Sequence, residues 1–195
     1  RVLNHMMQHM LNNDADIDYI FPLDADEFIY CPSREKLNTF LTLIPQNRVG
    51  MYTWRGYLPH STEYDPDFIS HFTDQRKEEI LTPKVIIPRA IAETCTLTIG
   101  SHSVRDKEGK EVQSIVFIGS NNQQFYYWFI NRFNAEFIET DDLWLGHYPI
   151  RSTIQQIKKV LEKSITMVME KKGYRDSAWE NQLRDLLAHN LDISL

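Results

Sequence analysis

Hydrophobic positions at the start of the chain repeat with helical spacing. Leu3, Met6, Met7 and Met10 fall at i, i+3, i+4 and i+7, which is the pattern of an amphipathic helix. No capping residue precedes them, and the first residue is Arg1 rather than Met. We therefore expect the chain to begin inside a helix, as a piece of a longer protein.

The next apolar run has the length and composition of a strand. Residues 17–23 are mainly apolar and rich in residues that favour β-structure. Such a run suits a strand that is covered on both faces of its sheet, as in α/β layers. Pro22 argues against a central position, because proline has no backbone N–H to donate to a neighbouring strand.

Further along, the apolar spacing predicts one helix and two strands. Ser33 is placed to cap a helix that ends at Pro45. Residues 49–54 and 84–88 have the character of strands. The long, aromatic and irregular stretch 55–77 predicts a loop-rich insertion beside the site.

The second half of the chain predicts a hairpin and two helices. Alternation of Thr with apolar residues, a turn-forming segment and a second apolar run predict a β-hairpin over 94–118, with His102 on its first arm. Ser152 and Ser177 each begin a capped apolar stripe. These two stripes predict C-terminal helices.

Composition narrows the class of protein. With 195 residues and 42% apolar content, we expect a single domain over 1–195, in which 152–195 form a helical part. The net charge of −6 disfavours nucleic acid as a partner. Cys31 and Cys95 have no metal-binding or disulfide-framework spacing, and no run is apolar enough to span a bilayer. We expect no transmembrane segment and a location in the reducing cytoplasm, or at the inner face of the membrane.

An acidic cluster follows the first predicted strand. Asp24, Asp26 and Glu27 place three carboxylates within four positions. Crowded carboxylates raise one another's pKa values, and a hard divalent cation such as Mg²⁺ or Mn²⁺ relieves the repulsion through oxygen ligands. We therefore predict a metal site that includes Asp24 and Asp26 and bridges to phosphate oxygens. The alternative is a solvated acidic turn or a helix start, where Asp and Glu are common.

A second candidate segment spans residues 143–152, where a short apolar strand runs into the helix that Ser152 caps. A helix N-terminus offers free N–H groups and partial positive charge to an anion. Arg151 and Ser152 are therefore candidate substrate-binding residues. His147 would complete the metal shell, because imidazole suits Mn²⁺. The alternative is a buried histidine bonded to the backbone and an arginine paired with a surface carboxylate.

Other polar residues are weaker candidates. Lys84 and His102 would face a sugar or a phosphate. Asp141 and Asp142 are candidates for a general base, which must reach an acceptor hydroxyl, and Glu93 is their rival. For each of these residues a structural role or a solvated loop charge is the more common case.

Two segments together are similar to a known family. Residues 19–29 (YIFPLDADEFI) and 147–155 (HYPIRSTIQ) together resemble bacterial family 2-type glycosyltransferases with a GT-A fold. Between them, residues 84–87 (KVII) and 100–102 (GSH) resemble landmarks of the same group. The resemblance spans most of residues 1–170. The combination is more specific than a bare Asp-x-Asp pair, which occurs often by chance.

The resemblance implies a GT-A-like α/β fold. This is a Rossmann-like mixed sheet flanked by helices, with a β-hairpin and C-terminal helices, and the N-terminal nucleotide-binding strands would be missing from this chain. The implied activity is the metal-dependent transfer of a sugar, with inversion, from a nucleotide-diphosphate donor to a hydroxyl of a glycan or another acceptor.

The resemblance also implies roles for individual residues. Asp24 and Asp26 would be the metal-binding pair, with Asp26 favoured as the direct ligand. His147 would approach the metal or the diphosphate. Arg151 and Ser152 would stabilise the departing nucleoside diphosphate, on which negative charge develops.

Two other functions stay open. A magnesium phosphohydrolase or phosphotransferase also uses strand-end aspartates. Aspartyl-phosphate enzymes, however, place a hydroxyl residue two positions after the second aspartate, where this chain has Phe28. A non-catalytic carbohydrate-binding or assembly module on a degenerate transferase core would bind a glycan without a metal. The aromatic content of 12% suits such a ring-stacking surface.

Overall fold

The computed structural model describes residues 2–58, 74–75, 83–120, 126–148 and 158. The chain divides into two compact units: Arg1–Tyr57 with Gln75–Tyr148, and Leu58–Asp74 with Pro149–Leu195. The elements that carry the candidate site belong to the first unit. The expectation of a single domain stays a prediction.

Four α-helices are interspersed among the strands of the described residues. The helices are α1 (Val2–Asn13), α2 (Arg34–Thr42), α3 (Arg89–Ala92) and α4 (Tyr126–Phe133). The strands are β1 (Tyr19–Ile20), β2 (Glu27–Tyr30), β3 (Val49–Tyr52), β4 (Trp54–Leu58), β5 (Asp74–Gln75), β6 (Lys84–Pro88), β7 (Thr96–Leu97), β8 (Val104–Arg105), β9 (Ser114–Ile118), β10 (Glu136–Glu139) and β11 (Trp144–His147). None of these helices is long and apolar enough to cross a membrane.

A mixed five-stranded sheet forms the centre of the first unit, in the order β1-β6-β3-β9-β10. β6 runs antiparallel to both β1 and β3, whereas β3, β9 and β10 are mutually parallel neighbours. The predicted α/β class with a mixed sheet is confirmed at this level.

Alternate residues of the central strands face two different cores, because successive side chains of a strand point to opposite sides. One core combines strand residues with α1, α3 and α4; its members from β3, β6 and β9 are Val49, Met51, Val85, Ile87, Val116 and Ile118. The other contains the α2 residue Phe40 together with Ile44, Tyr52, Ile86, Ile115, Phe117, Leu143 and Leu145. Every residue of β6 and β9 is buried. The central strands are therefore covered on both faces.

A second sheet has the order β2-β11-β4-β5. β11 is antiparallel to β2 and parallel to β4, and this register places Glu27 opposite His147 and Trp54 opposite Leu145. Glu27, His147 and Trp54 therefore share one side of the sheet, and the neighbouring residues of each strand lie on the other side. This pairing connects the acidic cluster to the distant His147 segment.

Several predicted elements are confirmed. α1 matches the opening helix, and β6 matches the predicted strand 84–88. α2 begins after Ser33, whose Oγ accepts a hydrogen bond from the backbone N–H of Lys36 at 3.1 Å. Residues 49–54 form β3 and the start of β4.

The first predicted strand is shorter than expected and lies at an edge. Of residues 17–23, only Tyr19–Ile20 form a strand, which pairs with β6 alone. Pro22 explains why the pairing stops, because it has no N–H to extend the ladder. The carboxylates therefore follow an edge strand rather than a central one.

The predicted hairpin over 94–118 is wrong in its extent. β7 and β8 form a short antiparallel pair, and His102 lies in the turn between them rather than on a strand. β9 instead lies between β3 and β10. Its apolar side chains need cover on both faces, which only a central position supplies.

The predicted insertion over 55–77 starts too early, because β4 continues to Leu58. The rest of that stretch, apart from β5, lies outside the described residues. The C-terminal helices predicted within 152–195 also lie outside them.

Candidate functional site

The acidic turn at 24–27 is closed by two hydrogen bonds. The backbone N–H of Asp24 donates to Glu27 Oε2 at 2.9 Å, and the N–H of Glu27 donates to the Asp24 carbonyl at 3.1 Å. The turn separates the carboxylates: the Glu27 side chain is fully buried, and the Asp24 side chain is 61% exposed. The structure thus gives these two carboxylates different environments.

Lys84 is the counter-charge of this turn. Its side chain is 1% exposed, and Nζ lies 2.9 Å from Asp24 Oδ2 and 3.0 Å from Glu27 Oε2. An ammonium group held between two carboxylates relieves the repulsion between them, for which the sequence predicts a metal ion. The predicted substrate-binding residue is therefore bound to the acidic turn.

Burial dominates the chemistry of Glu27. Its pKa is raised because the carboxyl group is removed from water, although the Asp24 N–H and the Lys84 ammonium act in the opposite direction. Among the described residues, Glu27 Oε1 and the Tyr52 hydroxyl have no hydrogen-bond partner. Tyr52 is the cross-strand neighbour of Lys84, and burial together with the charge of Glu27 raises the pKa of its phenol. Glu27, Tyr52 and Lys84 thus form a buried polar cluster where β2 of the second sheet meets β3 and β6 of the central sheet.

Asp26 and His147 come together at the end of β11. Asp26 Oδ1 lies 3.9 Å from His147 Nε2, and their side chains are 17% and 16% exposed. The N–H of Tyr148 donates to the Asp26 carbonyl at 2.9 Å, which fixes the loop against the strand. A carboxylate and an imidazole from distant parts of the chain thus lie close together, each with its side chain partly exposed.

This pair can supply two ligands to a metal. In the described part of the chain, no group of three or more His, Cys, Asp or Glu side chains is arranged to hold an ion. Mg²⁺ in phosphate-binding sites keeps several waters and uses one or two carboxylates together with substrate phosphates. Asp26 can supply the carboxylate of such a set, and the nitrogen of His147 suits a transition metal such as Mn²⁺ more than Mg²⁺, whereas Asp24 is bonded to Lys84.

Trp54 connects the candidate residues. Its ring lies 4.5 Å from the His147 ring and 5.8 Å from the His102 ring, between centroids, and 5.9 Å from Lys84 Nζ. The indole ring therefore limits the positions open to both imidazole rings and covers one side of the Lys84 ammonium group. This role of Trp54 is not visible in the sequence, because a tryptophan in an apolar strand gives no signal beyond core packing.

His102 is held by the backbone and by a strained turn. Its Nδ1 lies 2.8 Å from the Pro83 carbonyl, so Nδ1 carries the proton and Nε2 is the acceptor. The preceding residues Gly100 and Ser101 have φ angles of 79° and 61°. A left-handed conformation outside glycine is uncommon and clusters at functional sites.

Gly100 is required for this arrangement. A Cβ at this position would lie 2.5 Å from His102 Nε2, and the positive φ is unfavourable for an L side chain. We expect Gly100→Ala to lower the free energy of unfolding by more than about 1–2 kcal/mol, since backbone strain alone accounts for that amount. Gly109→Ala is the matched control, because Gly109 has φ +80° and open space around it. Equal losses of stability in chemical denaturation would contradict the close approach of the His102 ring.

Burial also makes His102 a source of acid sensitivity. It lowers the pKa of the imidazole from the ordinary value of 6.5, an effect that the bond to Pro83 only partly opposes. The unfolded chain then binds more protons, so stability is lost as the pH falls through 6.5. We expect His102→Gln to reduce the loss of unfolding free energy between pH 7.5 and pH 5.5. The same substitution at exposed His5 should leave that loss unchanged, and an unchanged loss in His102→Gln would contradict this role.

Asp141 and Asp142 lie beside other residues. Asp141 accepts a hydrogen bond from Ser120 Oγ at 2.8 Å and lies 3.5 Å from Arg55 Nη2, which follows Trp54 and so faces the opposite side of the sheet. Asp142 lies 3.3 Å from Lys36 Nζ. These contacts hold both predicted bases in surface ion pairs.

Two predicted residues, Arg151 and Ser152, lie outside the described residues. Glu93, the rival base, forms an ion pair with Arg89 on α3. The described site therefore brings together Asp26 with His147, Asp24 with Lys84, and His102 with Trp54.

Comparison with protein families, with curated proteins and with solved structures finds no match for this chain.

Proposed function

We propose that this chain is a metal-dependent glycosyltransferase domain with a GT-A-like fold. It moves a sugar, with inversion, from a nucleotide-diphosphate donor to a hydroxyl acceptor. The observation that carries the proposal is the approach of Asp26 to His147 at 3.9 Å, with both side chains partly accessible. The resemblance of the two segments to family 2-type transferases supplies the reaction class.

Charge balance supports a divalent cation at this place. With the three carboxylates of the turn ionised and Lys84 protonated, the net charge is −3 + 1 = −2. A bound Mn²⁺ or Mg²⁺ would neutralise this charge and stabilise the negative charge that develops on the leaving diphosphate. Asp26 and His147 would hold the ion, and Lys84 would keep Asp24 and Glu27 from repelling the donor.

The remaining assignments are part of the same proposal. Arg151 and Ser152 stabilise the departing nucleoside diphosphate, and His102 orients the sugar by accepting a hydrogen bond from one of its hydroxyls at Nε2. Asp141 and Asp142 carry no role in this proposal, because Asp141 lies with Arg55 on the side of the second sheet opposite His147 and Asp142 is paired with Lys36. The cytoplasm is the proposed location of the reaction.

The test of this proposal is calorimetric titration of uridine diphosphate, and separately of guanosine diphosphate, with Mn²⁺ and with EDTA. We expect binding through the diphosphate, seen with one or both nucleotides, only with Mn²⁺. Binding that is equally strong in EDTA would exclude the metal bridge. The absence of binding for both nucleotides would exclude the donor site in this chain.

A non-catalytic carbohydrate-binding module is the second candidate, and the outer side of the second sheet favours it. Tyr30 stacks on Trp144 at 4.5 Å between ring centroids, and Tyr57 stacks on Tyr148 at 5.1 Å. Phe28 and Tyr30 are 40% and 47% exposed. Aromatic faces of this kind suit sugar rings. This candidate predicts that neutral oligosaccharides bind equally well in Mn²⁺ and in EDTA.

A further inference from the structure

A cavity of about 490 Å³ lies between the β7–β8 pair and the C-terminal end of α4. His102 belongs to its wall, and the acidic turn and Asp26 do not. The volume is within the range of small-molecule sites. The cavity therefore shares His102 with the candidate site but none of the carboxylates of that site.

The charged groups of this wall leave one positive charge in excess. Arg105 and Glu111 lie 3.7 Å apart and compensate each other. Arg132 is the other cation; its guanidinium lies 5.4 Å from the centroid of the Trp128 ring and 5.4 Å from that of Phe133. No carboxylate of the described residues forms an ion pair with Arg132. His102 adds no charge at neutral pH, because burial lowers its pKa.

A guanidinium stacked on aromatic rings keeps its N–H groups free along its edge. This planar group matches the oxygens of a phosphate or a carboxylate in two parallel hydrogen bonds. The aromatic contacts also reduce the conformational freedom that Arg132 would lose on binding. The cavity therefore favours an anion.

A second group in the wall calls for a hydrogen-bond donor. Ser103 Oγ donates to Glu111 Oε1 at 3.3 Å, and Thr98 Oγ1 lies 3.1 Å from Ser103 Oγ. Glu111 Oε2 is buried and has no hydrogen-bond partner among the described residues. An unsatisfied buried acceptor is unfavourable by about 1–3 kcal/mol. A ligand hydroxyl would remove this penalty once the carboxylate turns toward it.

We propose that the cavity binds a small hydroxylated anion, a phosphorylated or carboxylated sugar. Arg132 binds its anionic group, and Glu111 accepts a hydrogen bond from one of its hydroxyls. The proposal rests on the residues of the cavity wall and does not depend on the transferase reaction. It requires neither the metal nor Asp26.

The experiment is titration of the full chain in EDTA with glucose 6-phosphate, glucuronate, glucose and inorganic phosphate. At least one of the two sugar anions should bind more tightly than either glucose or phosphate, and the stronger of the two identifies the anionic group. Arg132→Gln should weaken that binding about tenfold or more, as expected for a charge-assisted hydrogen bond. Arg34→Gln, at an exposed position on α2, is the matched control and should bind like the wild type.

Two further variants keep the test informative if Arg132→Gln is unstable. Arg132→Lys retains the charge without the planar group and should bind with intermediate affinity. Glu111→Gln should weaken the sugar anion more than inorganic phosphate. The proposal is overturned if neither sugar anion binds, if phosphate binds as tightly as the sugar anions, or if folded Arg132 variants bind like the wild type. Asp26→Asn should leave binding of the sugar anion to the cavity unchanged. Failure of the cavity proposal is therefore distinguishable from failure of the donor site.

Discussion

Lys84→Met is expected to lower the free energy of unfolding by about 3–5 kcal/mol, the effect of removing one partner from a buried ion pair. Lys84 is almost completely buried, and its ammonium group lies within 3.0 Å of the buried Glu27 carboxylate. Methionine would fill most of the volume, but the carboxylate would remain buried without a counter-charge. Chemical denaturation at pH 7 measures this loss directly.

The double variant Lys84→Met with Glu27→Gln separates charge from packing. We expect it to recover much of the lost stability, because a neutral amide does not need the ammonium group. Lys36→Met is the control: Lys36 and Asp142 form an exposed pair with side-chain exposures of 46% and 47%, and such pairs contribute about 0–1 kcal/mol. A loss for Lys84→Met no larger than for Lys36→Met would mean that the acidic turn does not need its counter-charge.

Asp26→Asn is expected to weaken Mn²⁺-dependent binding of nucleoside diphosphate at least about a hundredfold. Loss of a residue that only supports a metal ligand lowers affinity about 10–100-fold, and Asp26 is proposed as a direct ligand. The fold should be retained, because the substitution removes one of three crowded negative charges. Calorimetric titration gives the nucleotide affinity of the variant, and thermal unfolding measured in parallel shows whether the fold is retained.

Asp16→Asn is the matched control for this experiment, since Asp16 is an exposed residue in the turn after α1. It should bind the nucleotide and the metal like the wild type. His147→Ala should weaken the diphosphate more than the free sugar. Asp26→Asn with unchanged Mn²⁺-dependent affinity would remove Asp26 from the metal site.

Local patterns predict the elements of this fold better than they predict the partners of those elements. α1, α2 and β6 follow from apolar spacing, the Ser33 cap and a run of β-branched residues. The sequence predicts a hairpin position for β9, because this strand follows a turn. Its place between β3 and β10 depends on burial of both faces, which is a property of the whole sheet.

For the candidate site too, the sequence predicts the local cluster but not its long-range partners. The crowding of Asp24, Asp26 and Glu27 is visible in the sequence and predicts a need for positive charge. Which positive charge satisfies it depends on a contact between the turn and β6, about 60 residues later, and Lys84 has no local signal for that role. The pairing of β2 with β11 likewise brings Asp26 to His147, and long-range strand pairing of this kind is not encoded in either segment alone.

The most direct test of the account is the proton NMR spectrum of the histidine side chains during titration with Mn²⁺ in the presence of uridine or guanosine diphosphate. Mn²⁺ is paramagnetic and broadens signals of nearby nuclei, and the chain has seven histidines, of which His5 and His9 lie on α1. We expect the His147 signals to disappear at substoichiometric Mn²⁺ while those of His5 and His9 persist. His147 signals that survive as long as those of His5 and His9 would contradict a metal site at Asp26 and His147.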